Sequence, residues 1–143
     1  VSDAAIDIEA LVPHKGAMCL WQRVVDHDTT HVRVATLGHR DPANPLRSGD
    51  CLRGVHLCEY GAQAMAVHGG LLGLDSGCPV RAGVLVALRA VDIRVERIDL
   101  LEGELVGETE LLMDSAGSQQ YAFRILRGDG VIAEGRAAVM LQG

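Results

Sequence analysis

Aromatic side chains are nearly missing from this 143-residue chain: one Phe, one Trp and two Tyr, 3% of the total. A core must therefore be assembled from Val, Leu, Ile and Ala. Basic runs are missing too, and a formal charge of −6 argues against nucleic acid as a partner. No stretch is long and apolar enough to insert in a membrane, and the opening Val1-Ser-Asp-Ala-Ala-Ile-Asp7 lacks the charged-then-apolar order of an export signal. A cytoplasmic location is expected. Cys19, Cys51, Cys58 and Cys78 show no CxxC and no paired Cys/His spacing, so reduced thiols are expected and a metal site is not. Repeats, low-complexity segments and linkers are absent, which leaves one domain over residues 1–143.

What is present is organised around Gly54-Val-His-Leu-Cys-Glu-Tyr-Gly-Ala-Gln-Ala-Met-Ala-Val-His68. Gly and Pro signals precede it and a Gly-rich loop follows, so it reads as one helix running to about Leu72. It is apolar or small nearly all round, the pattern of a buried helix. Glu59 and Gln63 are set into it at i and i+4, on one face. A buried carboxyl must be paired, hydrogen-bonded or kept neutral.

Upstream, Ile6 to Val12 is a short amphipathic piece of one or two helical turns, stopped by Pro13. Gln22–Asp26 and His31–Leu37 carry strand patterns, and Asp41–Asp50, with Pro42, Pro45 and Gly49, is an irregular loop. Downstream the chain is all strand: Val84–Ile98, Glu104–Met113, Gln119–Arg127 and Val131–Leu141, with turns at Asp114–Gly117 and Gly128–Gly130. Strands flanking a single helix cannot build a doubly wound sheet, which needs alternating crossovers. The order predicts an α+β hot-dog fold, an antiparallel sheet wrapped around one long central helix. So small a sheet leaves edges, and pairing one with a second copy predicts a homodimer, with a heterodimer or higher oligomer as alternatives.

Two motifs carry a resemblance. Leu11-Val-Pro-His14-Lys-Gly-Ala-Met-Cys-Leu-Trp-Gln-Arg23-Val is similar to the Leu-Pro-His-Arg segment near the start of bacterial 3-hydroxyacyl-acyl carrier protein dehydratases. Gly54-Val-x-x-x-Glu59-x-x-Ala-Gln63 resembles their Gly-Val-x-x-x-Glu-x-x-Ala-Gln helix, and the divergent branch of aryl-polyene pathways is the most similar. One departure stands out. Those enzymes carry a catalytic His nine residues ahead of the Gly matching Gly54, and here that position is Pro45.

The resemblance implies dehydration of a 3-hydroxyacyl thioester to a trans-2-enoyl thioester, with acyl carrier protein and its phosphopantetheine-linked chain as partner. No metal or redox cofactor is implied, since the thioester itself acidifies the α-carbon. Glu59 would be the general acid, burial favouring its proton-carrying form, with Gln63 orienting it. The base would be His14, unless its ring only fixes the turn after Pro13, or His56, one turn before Glu59. His39 ranks third, His27 and His31 look solvent-facing, and His68 suits the helix C-terminus. The amides of Gly54 and Val55 at the helix start would receive the thioester carbonyl as it gains negative charge. Arg47, Arg53 and Arg81 could meet an acidic carrier protein. Two alternatives stay open: an acyl thioesterase using the helix carboxylate, or a catalytically weak subunit paired with a second hot-dog chain.

Overall fold

The computed structural model describes residues 7–11, 18–77 and 83–141. A single 3-10 turn, Ile8–Ala10, stands where the amphipathic N-terminal piece was predicted. The strands are β1 (Arg23–His27), β2 (His31–Thr36), β3 (Gly83–Ile93), β4 (Leu105–Ser115), β5 (Ser118–Arg127) and β6 (Gly130–Leu141). They form one six-stranded sheet in the order β1-β2-β4-β5-β6-β3, every pair antiparallel. Two-residue connections close both hairpins of the second half, with Gly117 at φ 86° and Gly128 at φ 58° supplying the left-handed backbone. Strand β3 ends at Ile93, short of the predicted Ile98, because residues 94–98 leave the sheet to brace the helix start.

The helix α1 (Leu57–Ser76) is preceded by a 3-10 turn, Gly54–His56, and ends at Gly77 in the left-handed conformation, a full turn beyond the expected end. Between Leu57 and Leu71 no residue of α1 is exposed, as a helix apolar on all sides requires. Leu57, Tyr60, Ala64, Met65, Val67 and Leu71 form one buried cluster with Val34, Leu105, Tyr121, Phe123 and Ile125 of the sheet. Phe123, the only Phe, fits because two glycines clear its ring. A Cβ on Gly61 would lie 2.5 Å from it, and one on Gly135 would lie 2.9 Å from its far side. Among the described residues, no helix is long and apolar enough to cross a membrane.

Candidate active site

The start of α1 is held against the chain that follows β3. The Gly54 amide donates to the Glu96 carbonyl at 2.8 Å, and a Cβ on Gly54 would lie 1.9 Å from the Val95 carbonyl oxygen, so only glycine fits. The next contacts extend the brace. Ile98 N donates to Leu52 O at 2.8 Å, and Leu52 N donates to the Asp99 carboxylate at 2.9 Å. Arg97 clamps the same carboxylate at 2.6 and 3.2 Å. The Arg97 hydrogen bond, aided by the Leu52 amide, holds the Asp99 carboxyl well below the usual carboxylate range despite its burial. Asp99 was not singled out from the sequence. Its one signal is an acid lying in the apolar run Ile98-Asp-Leu-Leu101.

This brace corrects part of the expected site. The Gly54 amide is not an open donor, being already bonded to Glu96. Val55, one residue on, is 61% exposed. Gln63 is buried, and both ends of its amide are engaged elsewhere. Its Oε1 accepts from Leu20 N at 2.9 Å and its Nε2 donates to Met18 O at 2.7 Å. It therefore anchors the segment leading in from the N-terminal motif, a role different from orienting Glu59. Trp21 Nε1, donating to Tyr60 O at 2.8 Å, ties the same segment to the helix.

Glu59 sits in the first turn of α1, half-buried where full burial was expected, with half-buried His56 three residues before it. That spacing sets the two side chains one turn apart on neighbouring faces. His14, with Cys78 and Arg81, lies outside the described residues. The position of the usual catalytic His, Pro45, is exposed in the loop before the helix, and its neighbour Asn44 donates to Tyr60 Oη at 3.1 Å. Arg47 is tied into that loop, donating to the carbonyls of Arg40 and Asp50, while Arg53 is exposed.

The remaining histidines separate clearly. His39 is fully buried and donates from Nε2 to Leu101 O at 2.9 Å, and burial lowers its pKa. His68 is not at the helix end but mid-helix and fully buried. Its Nε2 donates to Asp28 O at 3.2 Å, so its Nδ1 accepts the Tyr121 hydroxyl at 2.8 Å. Burial lowers the His68 pKa and raises that of Tyr121. Neither imidazole faces solvent. His31 is exposed, as expected, beside Asp28 and Glu110. A hollow of about 430 Å³ on the solvent face of the sheet, lined by Asp26, Arg33, Glu108 and Arg124 among others, has no wall from α1. Its four carboxylates, Asp26, Asp28, Glu108 and Glu110, outnumber its two arginines.

One long helix held in a six-stranded antiparallel sheet, with a carboxylate in the first helical turn, defines a hot-dog protein of the kind the motifs resemble. A sequence profile of the ApeP-like family, described as ApeP dehydratase, matches residues 6–142, and the chain belongs to that dehydratase family. The resemblance to the aryl-polyene branch of hot-dog dehydratases is thereby borne out. No functionally curated protein matches the sequence. Among solved structures, a chain of the dehydratase heterocomplex ApeI:P from Xenorhabdus doucetiae is 23% identical, with 96% of this chain and 92% of that chain covered at a TM-score of 0.87. A hypothetical thioesterase from Streptococcus pneumoniae TIGR4, solved with coenzyme A, is 14% identical over 85% of each chain with a TM-score of 0.62. The PaaI protein of the E. coli phenylacetic acid degradation operon is 16% identical, covering 82% and 80%, with a TM-score of 0.60. At these identities the solved structures speak for the fold alone.

Proposed function

We propose that this chain is the glutamate-bearing subunit of a dehydratase acting on a 3-hydroxyacyl chain tethered to acyl carrier protein, and that it works beside a second hot-dog chain. The observation that carries this reading is Glu59. It occupies the first turn of the central helix, in the dehydratase-like motif of a chain that matches the ApeP-like family almost end to end. A base takes the α-proton from C2, and its electron pair becomes the C2=C3 bond. The hydroxyl leaves C3 with the proton of the Glu59 carboxyl, so one water departs and the base holds the other proton. The amide of Val55, an exposed residue, is the donor suited to the thioester oxygen, since that of Gly54 is taken. His14 and His56 are the bases this chain offers. The loss of the usual His at Pro45 makes a second subunit the natural source of a further one, and the related solved structure is itself a heterocomplex.

Mass spectrometry of a 3-hydroxyacyl carrier protein tests this, using the chain together with a second hot-dog dehydratase subunit. Wild type is expected to remove one water from the tethered acyl group, and Glu59→Gln to abolish that loss. His14→Ala and His56→Ala separate the two candidate bases. Loss of the whole acyl group would mean hydrolysis instead. Undiminished dehydration by Glu59→Gln would make this chain a silent companion of its partner.

A further inference from the structure

The chain from Arg94 to Leu101 is a strap fixed at both ends. Arg94 N donates to Ile132 O of β6 at 2.8 Å, and His39 Nε2 donates to Leu101 O at 2.9 Å. The strap runs antiparallel to the segment that enters α1, with Arg53 and Arg97 as a bridge pair. Gly54 N and Ile98 N donate across the gap, to Glu96 O and Leu52 O. A regular ladder would return a bond from Leu52 N to Ile98 O, but that carbonyl takes the Leu101 amide at 3.2 Å. The buried Leu52 amide turns to the carboxylate of Asp99 instead.

Arg97 grips that buried carboxylate as a fork, with Nε on Oδ1 at 3.2 Å and Nη2 on Oδ2 at 2.6 Å. The same Nη2 reaches Asp50 O at 3.2 Å. Charge-assisted bonds made by two prongs are strong, and they fix orientation as well as distance. One Asp–Arg pair therefore ties residues 50 and 52 to the strap, just before the helical turns begin. The core does not do this. The apolar cluster holds α1 from Leu57 inward, whereas Val55 is exposed and His56 and Glu59 are half-buried.

We infer that Asp99 is a positioning residue for the dehydration: through Leu52 and Arg97 it sets where the first turn of α1 presents the Glu59 carboxyl and the Val55 amide. The inference rests on the reading above, in which Glu59 gives the proton to the leaving hydroxyl. Asp99 acts through the backbone, by fixing the segment from which the helix starts. Without its carboxylate the buried Leu52 amide loses its acceptor, and the entry segment must move to find another. A displacement of about 1 Å at a reacting group can cost about 100-fold in rate. The buried body of α1 stays in the core meanwhile, so the effect falls on the site more than on the fold.

Two readouts on wild type, Asp99→Leu and Asp99→Asn test this: the kinetics of water loss from a 3-hydroxyacyl carrier protein, with the second hot-dog subunit present, and amide hydrogen exchange of the chain. Urea unfolding verifies the fold of each variant. Asp99→Leu keeps the shape and removes the acceptor, so kcat should fall at least about tenfold while KM stays within about threefold. Asp99→Asn keeps an oxygen for the Leu52 amide and should recover kcat to within about threefold of wild type. In Asp99→Leu the amides of Leu52, Gly54 and Leu57 should exchange faster, and that of Val67, buried in mid-helix, should not. Where Asp99→Leu does not fold, Arg97→Gln carries the test, with an expected fall in kcat of at least about threefold. Undiminished kcat in the folded variant, a rise in KM alone, or faster exchange spread evenly along α1 would overturn the inference. Exchange needs no substrate, so failure of the dehydratase reading would appear separately, as wild type that removes no water while the contrast between Leu57 and Val67 persists.

Discussion

Two glycines of the same helix should respond to alanine with opposite signs. Gly69 has nothing within 4 Å of the position its Cβ would take, whereas at Gly61 that carbon would meet Phe123 at 2.5, 2.8 and 2.9 Å. Helix propensity alone favours alanine at both sites by about 1 kcal/mol. Carbon atoms pack best about 3.5–4.0 Å apart, so the ring must retreat by roughly 1 Å to admit a methyl group at position 61. It has no room to do so. Phe123 is 1% exposed, and its opposite side already fills the space beside Gly135. Overpacking of this kind costs about 1–3 kcal/mol. A ring clamped on both sides puts the cost in the upper part of that range, about 2–3 kcal/mol; with the propensity gain of about 1 subtracted, Gly61→Ala should lose about 1–2 kcal/mol, while Gly69→Ala should gain up to about 1. For a chain of this length each kcal/mol moves Tm by roughly 2–4 °C, so the two variants should fall on either side of wild type. Urea unfolding followed by circular dichroism reads both. Equal stabilisation by the two substitutions would refute the packing of Phe123 against Gly61.

Three further outcomes are expected. Gly54→Ala places a carbon 1.9 Å from the Val95 carbonyl oxygen, so the helix start must shift; dehydration should fall by roughly 100-fold or more even where circular dichroism shows α1 intact. Gln63→Leu removes the acceptor of the buried Leu20 amide. It should cost about 1–3 kcal/mol in urea unfolding and speed hydrogen exchange at Leu20 more than at Phe123. Burial lowers the pKa of both His39 and His68. The unfolded chain then takes up protons first as pH falls, so stability should be flat above about pH 7 and decline below about 6.5, by at most about 1.4 kcal/mol per pH unit for each imidazole. Urea midpoints from pH 8 to 5 measure this, and an unchanged midpoint would contradict it.

Much of the architecture is legible in local pattern. The apolar run after Gly54, the alternating strands after Gly83 and the glycines at the two hairpins each fix backbone conformation within a few residues, and they appear where expected. Glu59 was visible for the same reason, as a carboxylate in a helix with no polar face. Its neighbours' tasks were not. Gln63 shares a face with Glu59 yet spends its amide on Met18 and Leu20, more than 40 residues away in sequence. Local pattern places His68 at a helix end, because the expected helix stops near Leu72, and only the approach of Tyr121 and Asp28 gives its imidazole a place in the core.

By itself, then, the sequence determined the element order, the buried helix and its carboxylate, because propensity, periodicity and turn chemistry act over a handful of residues. The tertiary structure alone decided that β3 crosses to the far edge beside β6, that Gly54 gives its amide to Glu96, and that Arg89 faces Arg136. Each of these depends on which distant segments meet and in what register. That is settled by closing long loops around a shared core, and no local pattern encodes it.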